Sequence, residues 1–331
     1  MTPRDNPDLL GHDAAEQSWQ QARTSGRLHH AWLITGTRGI GKATLAYRLA
    51  RTLLAGRKPG ESLHVDPADP VFRRIAAGTH AGLMTVERGM DEKRKRMRQE
   101  IVVDEVREVS HFLRRTAGEG GWRVVIVDGA EEMNPNAANA LLKLLEEPPT
   151  GALLLLVSHA AGLLPSTIRS RCRRLRLSPL SVTETETLLA TALPDLSAQD
   201  RHHLAVMAEG APGRALALAE GDGPAMAAQV SRVLASLPTG ASAHAVADAV
   251  ARDETDFSLF MEMLRQAVSL TVRQGARGLP DADQARLLAS RSLEGWGAVW
   301  QALTHIQDET ERLALDRRQA VLAGLSVMAG T

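Results

Sequence analysis

The run Gly36-Thr37-Arg38-Gly39-Ile40-Gly41-Lys42-Ala43 matches the phosphate-loop pattern G-x-x-x-x-G-K-[ST] at every defined position but the last. In a working nucleoside triphosphatase the backbone N–H groups of such a loop wrap the phosphates. The Lys reaches the terminal ones, and the Ser or Thr hydroxyl holds Mg²⁺. Ala43 has no oxygen to offer. Thr44 stands one position on, and a residue step turns a helix by about 100°, so its hydroxyl is expected to point away from a metal. The expectation is a chain that can hold a nucleotide but is poorly equipped to hydrolyse it.

A phosphate loop needs a strand before it and a helix after it. His30-Ala31-Trp32-Leu33-Ile34-Thr35 is short, apolar and closed by Gly36, which reads as a buried strand. From Ala43 to Leu54, Leu45, Leu49 and Leu53 recur every four residues among good helix formers, which reads as an amphipathic helix. With both flanks in place, the nucleotide contacts are assigned to Gly36, Thr37, Arg38, Gly39, Ile40, Gly41, Lys42, Ala43 and Thr44. A Gly-rich turn that keeps the fold without the ligand stays open as the alternative.

Residues 31 to 180 alternate short apolar runs with helical stretches, the pattern of an α/β domain with a parallel sheet. Its expected strands include Ala31 to Thr35, Leu83 to Glu87, Arg123 to Asp128 and Leu153 to Ser158. Arg57 to Gly82 reads as a loop or insertion, and the charge run Asp91 to Arg98 as a solvated loop. From Ser181 onward the chain reads as successive helices, with breaks at Pro194 to Ser197, Gly210 to Gly213, Pro238 to Gly240, Gly275 to Pro280 and Gly295 to Gly297. The simplest partition is one α/β domain (residues 1–178) followed by two all-α domains (179–222 and 223–331). With 44% hydrophobic residues but only 3% aromatic, the cores must be built from Leu, Ala, Val and Ile.

The formal net charge of +0 argues against a free-standing nucleic-acid binder that works by bulk charge. The polar start of the chain and the lack of any run of eighteen apolar residues lead to the expectation of a cytoplasmic protein. A single cysteine, Cys172, excludes an internal disulfide and any cysteine-based zinc cluster within one chain. No metal ligands are assigned, and no zinc is expected.

Arg123-Val124-Val125-Ile126-Val127-Asp128 ends an apolar strand with a carboxylate, the arrangement in which an Asp supports Mg²⁺ behind a phosphate loop. Many ATPases follow that Asp at once with a Glu that activates the attacking water; here the position is Gly129. Glu131 and Glu132 lie further on, beyond the expected strand end. Two defects point the same way, and turnover is expected to be weak or absent, with ATP a candidate ligand and Mg²⁺ weakly held.

Downstream, Asn139-Ala140-Leu141-Leu142-Lys143-Leu144-Leu145-Glu146-Glu147-Pro148-Pro149 forms one apolar helical face stopped by a double proline. Ser170-Arg171-Cys172 follows the next strand. This combination resembles the clamp-loader branch of the AAA+ proteins, whose members carry an N-A-L-L-K-x-L-E-E-P-P helix and a Ser-Arg-Cys motif. The defective loop and missing base resemble the non-motor subunits of that branch. The likeness runs from Leu10-Gly11-His12 through Gly210-Ala211-Pro212-Gly213-Arg214, and weakly on to Leu315-Asp316-Arg317-Arg318-Gln319.

The resemblance implies a RecA-like P-loop AAA+ module, a small helical lid and a helical collar that joins subunits into a ring. It implies tau- or gamma-type and delta-type subunits as partners, with a sliding clamp and primed DNA met through the complex. Such a chain is an accessory to DNA polymerisation, the nucleotidyl transfer belonging to the complex. It also implies that Arg171 is an arginine finger in trans, reaching the nucleotide of the neighbouring subunit. Ser158 would be a polar sensor of the terminal phosphate and Arg214 the lid arginine. Duller readings stay open: Arg171 in a basic surface strand with Arg169, Arg173, Arg174 and Arg176, Ser158 as a strand cap, and Arg214 as a surface residue. Many members hold a four-cysteine zinc module that residues 55 to 82 cannot form, and the loop is better preserved than in some members. An active motor subunit, a P-loop kinase and a nucleotide-free scaffold are the rival functions.

Overall fold

The structure is a computed structural model that describes residues 2–91, 96–98, 100–114, 121–220, 223–237, 243–278 and 282–330. It forms two compact units, Met1–Leu180 and Ser181–Thr331.

The first unit runs α1 (Asp13–Thr24), β1 (Ala31–Thr35), α2 (Lys42–Leu54), α3 (Pro70–Ala76), β2 (Leu83–Val86), β3 (Met90–Asp91), β4 (Arg96–Met97), α4 (Val103–Arg114), β5 (Arg123–Asp128), α5 (Pro135–Glu146), β6 (Ala152–Ser158), α6 (Ser166–Ser170) and β7 (Arg173–Arg176). Five strands form a parallel sheet in the order β2-β5-β6-β1-β7. Strand side chains alternate between faces, and the two faces are buried by different helices. Trp32, Ile34, Val124, Ile126, Leu153 and Leu155 pack with Trp19 of α1 and Leu45 and Leu49 of α2. Leu33, Val125, Val127, Leu154 and Leu156 pack with Val106 and Val109 of α4 and Leu141, Leu144 and Leu145 of α5. Burial on both faces explains why β6, Ala152–Ser158, is apolar throughout until its final serine.

Local chemistry sets the helix ends. Asn134 accepts from the Ala137 N–H, and Pro135 begins α5. Ahead of α2 stands Gly41, at φ 104°, a conformation that costs a glycine little.

Several sequence expectations change in detail. The stretch expected to be a loop between Arg57 and Gly82 contains α3, whose start is capped by the Asp69 carboxylate. The run from Asp91 to Arg98 is in part a two-stranded antiparallel ladder, with Met90 opposite Met97 and Asp91 opposite Arg96; residues 92–95 lie outside the described residues. Helix α4 was not foreseen.

Among the described residues the second unit is built of helices: α7 (Val182–Ala192), α8 (Ala198–Ala208), α9 (Pro212–Leu218), α10 (Gly223–Ser236), α11 (Ala243–Val250), α12 (Glu254–Ala276), α13 (Ala282–Ser290), α14 (Leu293–Leu313) and α15 (Arg317–Ala329). Ser181 and Glu184 form a capping box at the start of α7. One hydrophobic core runs through this unit, from Leu189 and Leu204 to Phe257, Phe260, Trp296 and Met328. The break expected at Gly295 to Gly297 does not occur: both glycines lie inside α14, and the side chain of Ser292 caps its start. The break expected at Gly275 to Pro280 begins after Ala276, where α12 ends; residues 279–281, like 238–240, lie outside the described residues. No helix is long and apolar enough to cross a membrane, among the described residues.

Candidate nucleotide site and arginine surface

Three neighbouring strands end side by side. In register, Thr35 of β1 lies opposite Ser158 of β6, and Asp128 of β5 opposite Val157. The loop 36–41 leaves the end of β1 and turns into α2, so the phosphate loop, Asp128 and Ser158 share one edge of the sheet. This is the crevice outside the carboxyl ends of the strands, where open α/β sheets bind ligands.

Within the loop, Gly39 and Gly41 take φ of 79° and 104°. A Cβ on Gly41 would meet Leu9 Cδ1 at 3.2 Å and His12 Nε2 at 3.6 Å, so the N-terminal segment closes one side of the loop. His12 is itself buried and donates from Nε2 to the Ile40 carbonyl at 2.7 Å. The acceptor is a carbonyl, so the proton must sit on Nε2. Thr37 and Arg38 are exposed at the tip, Ala43 is partly exposed, and Thr44 is buried on α2.

Lys42 is 4% exposed. Its ammonium donates to the carbonyls of Gly36 at 2.9 Å and Thr37 at 2.7 Å. Burial lowers its pKa to about 8, while the charges of Asp128 and Glu131 work to raise it. Burial pushes the Asp128 carboxyl up instead; Glu87 and Glu132 add to that, and His159 and Lys42 oppose it.

Of the two later carboxylates, Glu131 is a fastener. Its Oε1 accepts from the backbone N–H of His159 at 2.9 Å and of Ala160 at 3.1 Å, tying the segment after β5 to the end of β6. Burial works to raise its pKa, but these bonds, its own backbone N–H and the nearby Ser158 hydroxyl outweigh it and hold Glu131 below the ordinary range. Ser158 Oγ is fully buried, yet no hydrogen bond of ordinary length and angle joins it to Glu131 or to any other group. Glu132 turns back over Gly129 and pairs with Arg88 Nε at 2.9 Å.

Lys42, Asp128 and Ser158 thus come together, and the geometry fits a phosphate. Among the described residues buried Lys42 donates to carbonyls alone and Ser158 has a spare hydroxyl, and Gly39 and Gly41 hold the positive φ of an anion-binding turn. A divalent metal fits less well, since Ala43 contributes no oxygen where the loop pattern places a hydroxyl.

Arg171 lies apart from this cluster, in the residue that ends α6 and precedes the edge strand β7. Its Nη2 pairs with Glu146 Oε1 at 2.8 Å, and its Nη1 donates to the Thr167 carbonyl at 3.0 Å. Arg173, Arg174 and Arg176 are exposed along β7, with Arg173 stacked 4.8 Å over the Trp32 ring. Cys172, beside Arg171, is pushed up to about 12 by burial, an inert thiol. Arg214 belongs to the second unit. It stands at the start of α9 with Nη1 3.8 Å from Glu209 Oε1, and burial lowers its pKa against the pull of Glu209 and Glu262. Trp296 is buried there with its indole N–H on the Leu287 carbonyl, whereas Trp300 is 40% exposed.

Two contributors escaped the sequence reading. His12 lies in the run Leu10-Gly11-His12, and nothing local tells that it reaches Ile40. Glu146 had one readable clue, an acid at the C-terminal end of a helix, where the macrodipole disfavours negative charge.

Residues 11–181 match the sequence model of the family described as DNA polymerase III, delta subunit. The delta' subunit of DNA polymerase III from Pseudomonas aeruginosa is 39% identical over 199 residues, covering 59% of this chain and 58% of that protein. Its counterpart in Escherichia coli is 36% identical over 220 residues, covering 65% and 62%. The tau subunit from Escherichia coli is 29% identical over 244 residues, 71% of this chain but 36% of that one. The chain therefore spans about three fifths of the length of the two delta' subunits it matches.

Proposed function

This chain belongs to the DNA polymerase III delta-subunit family, whose model covers residues 11–181, and we propose that it serves as the delta' subunit of a clamp loader, the ring that places a sliding clamp on primed DNA. Its partners in that role are tau- or gamma-type and delta-type subunits, and it meets the clamp and the DNA through them. In the same reading, residues 179–222 are the lid and 223–331 the collar of the helical half.

The observation that carries this reading is the separation of two chemistries. The chain's own phosphate loop has lost its metal hydroxyl at Ala43 and its general base at Gly129, while Arg171 stands at the surface on a short helix. A subunit that keeps a nucleotide fold for shape and lends a cation to the next site would be built this way. The phosphates of a nucleotide would be held by the amides of 36–42 and by Lys42, with Asp128 and Ser158 at the terminal phosphate. A bound nucleotide would there supply charge that orders the loop, with little hydrolysis.

Arg171, a planar cation, would stabilise the charge that spreads over the phosphoryl group as it transfers in the neighbouring subunit. Such fingers are worth about 10³ to 10⁵ in rate in other systems. The test is the reconstituted complex with Arg171→Ala. DNA-stimulated ATP hydrolysis and clamp loading should both fall steeply, and wild-type values for both would sink the assignment. The tau relative keeps an active motor subunit as the second reading; metal-dependent ATP turnover by this chain alone, abolished by Lys42→Ala, would favour it.

A further inference from the structure

Glu146 stands where helix physics disfavours it. It is the last residue of α5, followed by Glu147, at the end where the macrodipole places partial negative charge. Lys143 in the same turn has the favourable sign; Glu146 does not. Its distinguishing contact is with Arg171, Oε1 to Nη2 at 2.8 Å.

The two residues sit on elements of unequal firmness. Leu141, Leu144 and Leu145 of α5 are buried in the core on that face of the sheet. Helix α6 is five residues long and has one buried residue, Ile168, with Leu164 two residues ahead of its start in the same core. The ion pair therefore ties a cation on a short helix to a firmly packed one. The Thr167 carbonyl accepts an N–H from the other terminal nitrogen, Nη1, of the same guanidinium. An arginine carries five N–H donors; Thr167 takes one, Glu146 holds Nη2 by charge, and the side chain is still 38% exposed.

We infer that Glu146 is a positioning residue for Arg171: it fixes the guanidinium plane before any partner arrives, leaving the free donors toward an anionic group supplied by a neighbouring subunit. The inference rests on the reading of Arg171 as a finger. An unrestrained arginine must lose much rotamer freedom on engaging an anion, and pre-ordering removes part of that loss from the functional step. Glu146 need not release the cation, because Thr167 takes a single N–H and the guanidinium keeps further donors while Nη2 stays against the carboxylate.

The test uses the complete complex with Glu146→Gln, Glu146→Asp, Arg171→Ala and the double variant Glu146→Gln/Arg171→Ala. Glu146→Gln should lower the kcat of DNA-stimulated ATP hydrolysis roughly threefold to fivefold, the scale of one half-exposed ion pair. The KM for ATP and the melting temperature of this chain should stay unchanged. Glu146→Asp, which keeps the charge, should recover part of the loss, and Glu146→Gln should have no further effect once Arg171 is Ala. A wild-type kcat in Glu146→Gln beside a damaged Arg171→Ala overturns the positioning role and leaves the finger standing. A loss that persists in the Arg171→Ala background also overturns it, for Glu146 would then act elsewhere. A wild-type Arg171→Ala complex overturns both.

Discussion

The Glu132 carboxylate fills the space into which a side chain at position 129 would grow: its Oε2 lies 2.7 Å from where a Cβ on Gly129 would stand. Gly129 also holds φ at 75°, in the left-handed region, and Arg88 pairs with the same carboxylate oxygen. The missing general base is therefore more than a missing side chain, because the backbone there is shaped for glycine.

Restoring the base should accordingly fail. Gly129→Glu is expected to destabilise the first unit by about 1–3 kcal/mol, from left-handed strain plus the collision, and to leave ATP turnover at background. Thermal melting checks this, with Gly129→Glu/Glu132→Ala as the milder companion. A Gly129→Glu chain as stable as the parent would show that the backbone relaxes freely.

The metal defect is separable from the base defect. Ala43→Ser returns a hydroxyl at the first turn of α2 and should make nucleotide affinity respond to Mg²⁺ by roughly threefold or more. Turnover should remain near background, since no base is restored. Fluorescent-nucleotide titration with Mg²⁺ and with a chelator reads the first effect and phosphate release the second; an unchanged Mg²⁺ response would refute the role given to position 43.

His12 holds the phosphate loop by one buried bond to Ile40. His12→Ala leaves a carbonyl of a buried residue without that donor, a loss of about 1–3 kcal/mol. Nucleotide affinity should weaken roughly fivefold as the loop loses its fixed shape. His12→Asn, which can still donate, should lose less. Equal affinity in all three chains would remove His12 from the site.

The charge of Lys42 makes the site pH-sensitive. In the folded chain its pKa is lowered to about 8, chiefly by burial, from an ordinary 10.5. Between those values the unfolded chain binds more protons than the folded one, so the Lys42 contribution to stability rises with pH across that window. Binding has the opposite sign: phosphates favour the charged amine, so nucleotide affinity should fall as pH climbs through 8. The slope should approach about tenfold per pH unit well above it. Lys42→Arg stays charged there and should flatten the profile. Titrations at about pH 7 and about pH 9 compare the two; parallel curves would mean that Lys42 does not face the phosphates.

In the helical unit, Ala314 ends α14 at φ 50°, a left-handed conformation that glycine takes without strain. Ala314→Gly should raise stability by about 0.5–1 kcal/mol, visible as a higher melting temperature. A lower one would mean that the αL cap is not the strained form in solution.

Much of this architecture is written locally. The strand, loop and helix around Gly36 to Lys42 were legible because a phosphate loop is a short-range pattern: glycines for positive φ, an apolar run before and a four-residue leucine period after. The strand ending in Asp128 and the helix ending before Pro148 were legible for the same reason, and Ala43 and Gly129 declare missing chemistry by identity alone. Helices α3 and α4 were not, since Pro-rich or charged surroundings hid short amphipathic pieces whose partners lie far along the chain.

What only the tertiary structure decided is which side chains meet. Sheet order and register place Asp128 and Ser158 beside the loop, carry His12 to Ile40, fold Glu132 over Gly129 and set Glu146 against Arg171. No local rule encodes such pairs: each depends on how parallel strands align and on which face a helix buries, and these follow from packing the whole core. By itself the sequence determined that this chain has a phosphate loop without its hydroxyl. Folding decided that Glu132 closes over Gly129 and that Arg171 meets Glu146 from another element.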